Sequence, residues 1–217
     1  MTQTIRVRFA PSPTGHLHIG GLRTAFFNWL FARHHNGVFL LRVEDTDLER
    51  SKPEYMQSQL ASLKWAGIES DEPVVIQSER FAQHTAMLQK LLQEGKAYKC
   101  YCPQKAVIVD GQFIKYDKSC RIRTSPQDPG APYVVRFALP KNLERVEWND
   151  HIRGNVSVSI DELDDFIIAR SDGRPVYNFV VVMDDIFMRI SHIIRAEDHI
   201  SNTPKQILLY QACNAPL

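Results

Sequence analysis

The run Val38-Phe39-Leu40-Leu41-Arg42-Val43 constrains this chain more than any other stretch. Its apolar residues fall on consecutive rather than alternate positions, which suits a strand buried on both faces, as in a parallel sheet. A parallel strand needs a crossover from its partner, and the preceding residues supply one. Residues 5–9 are short, apolar and β-prone. Two prolines and a glycine among Pro11, Ser12, Pro13, Thr14 and Gly15 force a turn. From His18 onwards Leu22, Phe26, Trp29, Leu30 and Ala32 recur at helical spacing. Asn36-Gly37 supplies the stop, since both residues tolerate a left-handed backbone. The unit is strand, loop, helix, strand.

In an open α/β sheet, ligands bind beyond the carboxyl ends of the strands. Ser12, Thr14, His16 and His18 follow the first strand; Glu44, Asp45 and Asp47 follow the second. The helix opening near His18 turns its positive end to the same place, which favours an anion such as a nucleotide phosphate.

At 217 residues the chain holds one large domain or two small ones. It is 44% hydrophobic and 24% charged, with a formal net charge of +1, so no global basic field advertises nucleic-acid binding and any RNA contact needs a local patch. The start has no apolar signal segment, and no run approaches the roughly 20 residues of a membrane span. A cytoplasmic location, away from membranes, is expected. Four cysteines in a chain this size do not form a disulfide framework.

Further on, Ser51 with Glu54 reads as a capping box with Pro53 in the first turn, opening a helix that buries Met56, Leu60 and Leu63 and stops at Gly67. Another helix is predicted from Ser78, carrying Phe81, Leu88, Leu91 and Leu92 and ending at Gly95. The character changes near Tyr98. Cys100-Tyr101-Cys102 opens a segment with a polar loop at 125–132 and β-like runs at 133–139, 145–148 and 156–160, a small α+β insertion. Residues 161–165 suit a turn or short helix. Residues 166–170 and 176–183 suit a hairpin around Ser171-Asp172-Gly173-Arg174. The pairs Asp164-Asp165 and Asp184-Asp185 read as solvated turn residues. Residues 191–195 suit a short strand, and Thr203-Pro204 starts a helix carrying Ile207, Leu208 and Tyr210. The fold class is α/β: a doubly wound parallel sheet interrupted by the insertion, with divisions at 1–97, 98–176 and 177–217.

Three stretches carry a resemblance. Pro11-Ser12-Pro13-Thr14-Gly15-His16-Leu17-His18-Ile19-Gly20-Gly21 resembles the "HIGH" signature of class I aminoacyl-tRNA synthetases, in the form used by the glutamyl branch. Arg42-Val43-Glu44-Asp45-Thr46-Asp47 is similar to that branch's second motif, and the likeness extends to Arg195-Ala196-Glu197-Asp198-His199 and Asn202-Thr203-Pro204-Lys205-Gln206. It covers essentially the whole chain and implies a Rossmann-like, HUP-type catalytic domain whose insertion holds the tRNA acceptor end.

The implied reaction is ligation of L-glutamate to tRNA through glutamyl-adenylate, with ATP and Mg²⁺ as substrate. The resemblance implies that His16, His18, Gly20 and Gly21 serve catalysis, and that Arg8, Ala10, Ser12, Glu44, Tyr177 and Arg195 bind glutamate. It assigns Pro11, Thr14, His18, Gly20 and Asp198 to ATP, and Asp47 and Arg50 to tRNA. Read singly, each has a plain alternative: a helix-capping loop for the histidines, an ion pair at strand ends for Arg8 and Glu44, turn residues for Asp47 and Arg50. Cys100, Cys102, Tyr116 and Cys120 resemble a zinc site of the branch, with Ile122 where a histidine usually stands; idle thiols are the alternative. Cys213 reads as a packing residue.

No counterpart of the family's lysine-rich KMSKS loop or anticodon-binding domain stands in these residues. The chain is thus expected to resemble the front portion of such an enzyme, weak or inactive alone, and monomeric. Its expected partner is tRNA-Glu, with tRNA-Gln open. Two further readings stand beside this one: a paralogue that glutamylates a modified tRNA base, and a non-catalytic ATP- or RNA-binding module.

Overall fold

Strands β1 (Arg6–Phe9) and β2 (Val38–Val43) run parallel, in register from Arg6↔Val38 to Phe9↔Leu41, and α1 (Ile19–His34) crosses between them. Every β2 residue after Val38 is buried, as a strand covered on both faces requires. After α2 (Pro53–Trp65), the short strand β3 (Val75–Ile76) adds in parallel to β2, giving the order β1-β2-β3. Because side chains alternate across a strand, Val7, Phe9, Phe39 and Leu41 fill one face. There they join Ala25 and Ala32 of α1 and Leu63 of α2. The small residues Ala25, Asn28 and Ala32 let α1 approach the sheet. Phe26 and Leu30, on the predicted apolar stripe, stay 45% and 41% exposed.

The structure is a computed structural model and describes residues 4–102, 108–109, 112–113, 116, 118–122 and 130–216. Packing divides it into two units, Met1–Ala82 with Asp184–Ile200, and Gln83–Met183 with Ser201–Leu217. The sequence divisions at 97/98 and 176/177 follow composition, whereas these units follow packing. The first unit holds β1–β3, α1 and α2.

The second unit takes most of α3 (Phe81–Gln93), then an antiparallel sheet of β4 (Ala97–Cys100), β7 (Val134–Phe137) and β10 (Ile167–Ala169) in the order β10-β7-β4. Two hairpins accompany it: β5 (Ile108–Val109) with β6 (Gln112–Phe113), and β8 (Arg145–Asp150) with β9 (Gly154–Ser159). Most of α4 (Tyr177–Phe187) and all of α5 (Thr203–Ala212) complete the unit. Most of the predicted polar loop, residues 125–129, lies outside the described residues.

Several local expectations need correction. Ser51 caps nothing: Lys52 is the N-cap of α2, without a side-chain bond, and Pro53 alone marks the start. Residues 176–183 are not a strand. The chain does reverse at 170–174, where the Arg170 N–H donates to Arg174 O at 2.8 Å and Gly173 takes φ +82°, but α4 begins at Tyr177. A short apolar run reads the same as a buried strand or a buried helix, and burial of all of Phe179–Asp185 hides any periodicity. Residues 191–195 form no strand either. Ser191 Oγ accepts from Arg6 N at 2.7 Å and donates to Arg6 O at 3.1 Å, and Asn28 Nδ2 donates to Ile194 O at 3.0 Å. Ser191 N and His192 N both donate to the same Arg6 O, at 2.9 and 3.3 Å, so the stretch meets β1 at one residue and builds no ladder.

Candidate functional site

The residues after β1 form a loop tied down at four carbonyls. Pro11 O accepts from Glu44 N at 2.9 Å and Pro13 O from Lys52 N at 3.0 Å. Gln59 Nε2, on α2 and 5% exposed, donates to Ser12 O at 3.1 Å and to Gly15 O at 2.7 Å. The loop cannot then drift without stranding buried donors. His16 is exposed, with Nδ1 2.9 Å from Ser58 Oγ and its ring edge-on to Tyr55. Ser12 and Thr14 are exposed beside it, and Ala10 and Pro11 half-buried.

His18 is the N-cap of α1. Its Nδ1 accepts from Gly21 N at 3.3 Å. An accepting Nδ1 leaves the neutral ring's proton on Nε2, so a donor N–H stands at the positive end of the helix. A Cβ on Gly20 would stand 3.1 Å from the His18 ring, and one on Gly21 2.9 Å from Leu17 Cδ1. A side chain at either position would press on the His18 ring or on the tip of Leu17, so both glycines keep the start of α1 uncrowded.

Beneath the loop lies a buried charge network. Arg8, Leu40 and Arg42 fall on the sheet face opposite the apolar core, by register and alternation. Asp185 Oδ1 accepts from Arg8 Nε at 2.9 Å and from Arg42 Nη1 at 2.5 Å; Oδ2 accepts from Arg8 Nη2 at 3.2 Å. Arg42 Nη2 reaches Glu44 Oε1 at 3.0 Å. Burial would raise the Asp185 carboxyl, but Arg42 and Arg8 outweigh it and hold it below the usual carboxylate range. Glu44 is raised, because burial outweighs the attraction of Arg42, to which it is hydrogen-bonded. Asp184, also fully buried, accepts from Gln77 Nε2 at 2.9 Å and Arg80 Nε at 2.7 Å.

The expectation of solvated turn acids therefore fails for Asp184 and Asp185, and for Asp165. Asp165 is fully buried and accepts from Tyr98 Oη at 2.6 Å, Leu139 N at 3.1 Å and the Arg121 guanidinium. Arg8 and Glu44 do not form an ion pair with each other; Arg8 is tied into the network through Asp185 and Glu44 through Arg42. Asp47 and Arg50 pair with one another on the surface at 2.6 Å, and Asp45 takes both the N–H and the hydroxyl of Ser78. Arg195 lies half-buried in the first unit just after Ile194, and Asp198 is exposed on the 3-10 turn Glu197–Asn202. Tyr177, 40% exposed, opens α4 in the second unit. Sequence reasoning missed Asp185, Gln59 and Asn28. The only local signal was a polar residue inside an apolar or helical pattern.

In the second unit Cys100, Cys102 and Cys120 bring their sulfurs within 4.8 Å of one another. Cys102 Sγ and Cys120 Sγ are 3.2 Å apart, and Tyr116 Oη lies 3.3 Å from Cys100 Sγ. Burial pushes the Cys120 thiol up, but the hydrogen bond to Cys102 and the Tyr101 backbone bond bring it down to about 7. Ile122 is 88% exposed.

Residues 4–217 match the family described as tRNA synthetases class I (E and Q), catalytic domain. The chain belongs to that family. Among curated members, a glutamate–tRNA ligase of Legionella pneumophila (strain Corby) is 49% identical over 221 residues, covering 99% of this chain and 47% of its own length. One of Pelobacter propionicus is 48% identical, covering 98% of this chain and 47% of itself. The crystal structure of a glutamate tRNA ligase from Elizabethkingia meningosepticum, in complex with its amino acid, superposes with a TM-score of 0.88 at 34% identity, covering 99% of this chain and 48% of that one. This class I chain thus spans about half the length of the relatives it matches. Its α/β fold, a parallel sheet with flanking helices, is the synthetase catalytic fold. Among the described residues no helix is long and apolar enough to cross a membrane.

Proposed function

We propose that this chain is the glutamate-activating portion of a glutamate–tRNA ligase. The observation that carries the reading is His18, a helix N-cap whose fixed tautomer offers an Nε2–H at the positive end of α1. It stands in the first unit, at the carboxyl end of a parallel strand whose Arg8 is already aimed by a carboxylate. In the proposed reaction the substrate carboxylate attacks the α-phosphorus of ATP and pyrophosphate leaves. Negative charge accumulates on phosphate oxygens, and stabilising it is the main catalytic task. His18 and His16 serve as donors, with Pro11, Thr14, Gly20, Gly21 and Asp198 around the nucleotide, whose Mg²⁺ arrives with it. Arg8 and Arg195 hold the substrate's side-chain carboxylate, Glu44 its ammonium, and Ala10 and Ser12 line the cup; the family resemblance assigns Tyr177 to the same substrate. The insertion reading at 98–176, a tRNA-Glu partner, a cytoplasmic location and a monomeric state belong to the same proposal, as do Asp47 and Arg50 as tRNA contacts.

Titration calorimetry with a non-hydrolysable glutamyl-adenylate analogue tests it. Tight binding should fall at least about 100-fold in Arg8→Ala and in Arg195→Ala, each losing a charge-assisted bidentate contact. A folded parent that does not bind overturns the reading.

Zinc is part of the proposal. Three soft sulfurs clustered beside a phenol suit a closed tetrahedral site, in which sulfurs about 2.3 Å from the metal stand roughly 3.8 Å apart. Cys100, Cys102, Tyr116 and Cys120 would hold the ion, which supplies structural cross-linking. Metal analysis of the dialysed protein should find about one zinc per chain, lost in Cys102→Ser and Cys120→Ser together with several degrees of Tm. A metal-free parent with the same Tm before and after zinc addition contradicts this part. The phenol among the ligands favours one second reading, a relative that glutamylates a tRNA base; mapping the ester to the tRNA 3′ end or to a base separates the two.

A further inference from the structure

The contact between Asp185 and Arg8 is more specific than a buried ion pair needs to be. An arginine presents two donor forks to carboxylates, one on the Nε/Nη2 edge and one on the Nη1/Nη2 edge. Asp185 takes the first, with Nε at 2.9 Å and Nη2 at 3.2 Å. Among the described residues no acceptor meets Nη1, although the whole residue is only 5% exposed. A second anion at Arg8 would ordinarily be repelled by Asp185. Here Asp185 has a second cation, Arg42 Nη1, at 2.5 Å on the oxygen that also takes Arg8 Nε. Neither arginine is exposed enough to be held by solvent, and Asp185 itself is fully buried. Hydrophobic residues of similar volume often stabilise a core as well as a buried ionic cluster does, so the cluster asks for a reason beyond stability.

We propose that Asp185 is a positioning and specificity residue: it fixes Arg8 so that the Nη1/Nη2 fork is presented to a ligand carboxylate, while Arg42, which Asp185 shares with Glu44, offsets part of the charge of Asp185. The inference rests on the reading of Arg8 as the carboxylate-binding residue. It adds the element that selects an acid side chain over its amide. With Asp185 removed, Arg8 is free to turn, and the preference for a carboxylate falls.

The test uses the 217-residue chain and two non-hydrolysable adenylate analogues, glutamyl and glutaminyl, which differ only in carboxylate against amide. Calorimetry is run on the parent, Asp185→Asn, Arg8→Ala, the double variant and Arg8→Lys. Asp185→Asn should weaken the glutamyl analogue about 10–100-fold, the span of one charge-assisted hydrogen bond. It should change the glutaminyl analogue less than about threefold. The double variant should bind the glutamyl analogue no more weakly than Arg8→Ala, because Asp185 acts through Arg8. Equal weakening of both analogues in Asp185→Asn would mean a merely structural role and overturns the inference. So does an unchanged preference while Arg8→Ala is weak. Glutamyl binding undiminished in Arg8→Ala, or a parent binding neither analogue, overturns the reading of Arg8 itself and the inference with it. Arg8→Lys covers the case in which Asp185→Asn does not fold. It keeps the charge beside Asp185 but has no second fork, so it should lose at least about tenfold for the glutamyl analogue alone. Parental binding by Arg8→Lys overturns the inference.

Discussion

Arg42→Ala should destabilise the protein by about 3–5 kcal/mol, the usual cost of removing one partner from a buried ionic cluster. Arg42 has no exposed surface, and it holds Asp185 at 2.5 Å, Glu44 at 3.0 Å and Met188 Sδ at 3.6 Å. Truncation leaves Asp185 with Arg8 alone and deprives Glu44 of its hydrogen-bonded cation. The deficit should depend on pH in a definite sense. Asp185 is depressed in the folded protein, so the stability it contributes is present above its ordinary value of 3.8 and lost as pH falls through the lower folded value. In the variant both carboxyls lose a lowering partner, Glu44 rising further from a position already above the ordinary one. The gap between parent and variant should therefore be widest near neutrality and shrink as pH falls towards 4. Urea denaturation at neutral and acid pH measures it, with an unchanged slope required for comparison. A gap under about 1.5 kcal/mol at neutral pH, or one that widens on acidification, contradicts the network as described.

Gly37→Ala should cost about 2–3 kcal/mol or more, in the upper range of overpacking. A Cβ there would stand 2.5 Å from Ile5 O and 2.9 Å from Ile5 Cβ. That oxygen is backbone and accepts from Val38 N at 2.8 Å, the bond that starts the pairing of β1 with β2. It cannot move aside without opening the sheet. Gly67→Ala is the control. Gly67 sits at φ +73° with nothing within 4 Å of the added atom, so its cost is the conformational one alone, about 1–2 kcal/mol. Thermal unfolding should rank Gly37→Ala clearly below Gly67→Ala; the reverse order would mean that the left-handed backbone, not close approach, governs glycine in this chain.

Gly37 also marks the boundary between legible and illegible sequence. By sequence, the pair Asn36-Gly37 stops α1 because both residues accept a left-handed backbone. The stop is there, but Asn36 alone is left-handed, at φ +50°, and Gly37 is glycine because a neighbouring strand passes too close for a side chain. A turn signal can be read from two residues. A close approach needs the partner strand.

The same division runs through the rest of the molecule. Local chemistry determined the βαβ unit: consecutive burial in β2, the proline-glycine loop after β1, and His18 at the helix start all follow from neighbours within one turn. The motifs also led directly to the family. Tertiary structure alone decided that residues 177–183 are helix and that Asp184 and Asp185 are buried. The partners that neutralise Asp185 stand 177 and 143 positions away, at Arg8 and Arg42. A carboxylate read among its sequence neighbours has only water to stabilise it, so exposure is the sound expectation. Its actual place follows from strand register, which sets two arginines on one face of the sheet, and from α4, which carries the carboxylate that both arginines share.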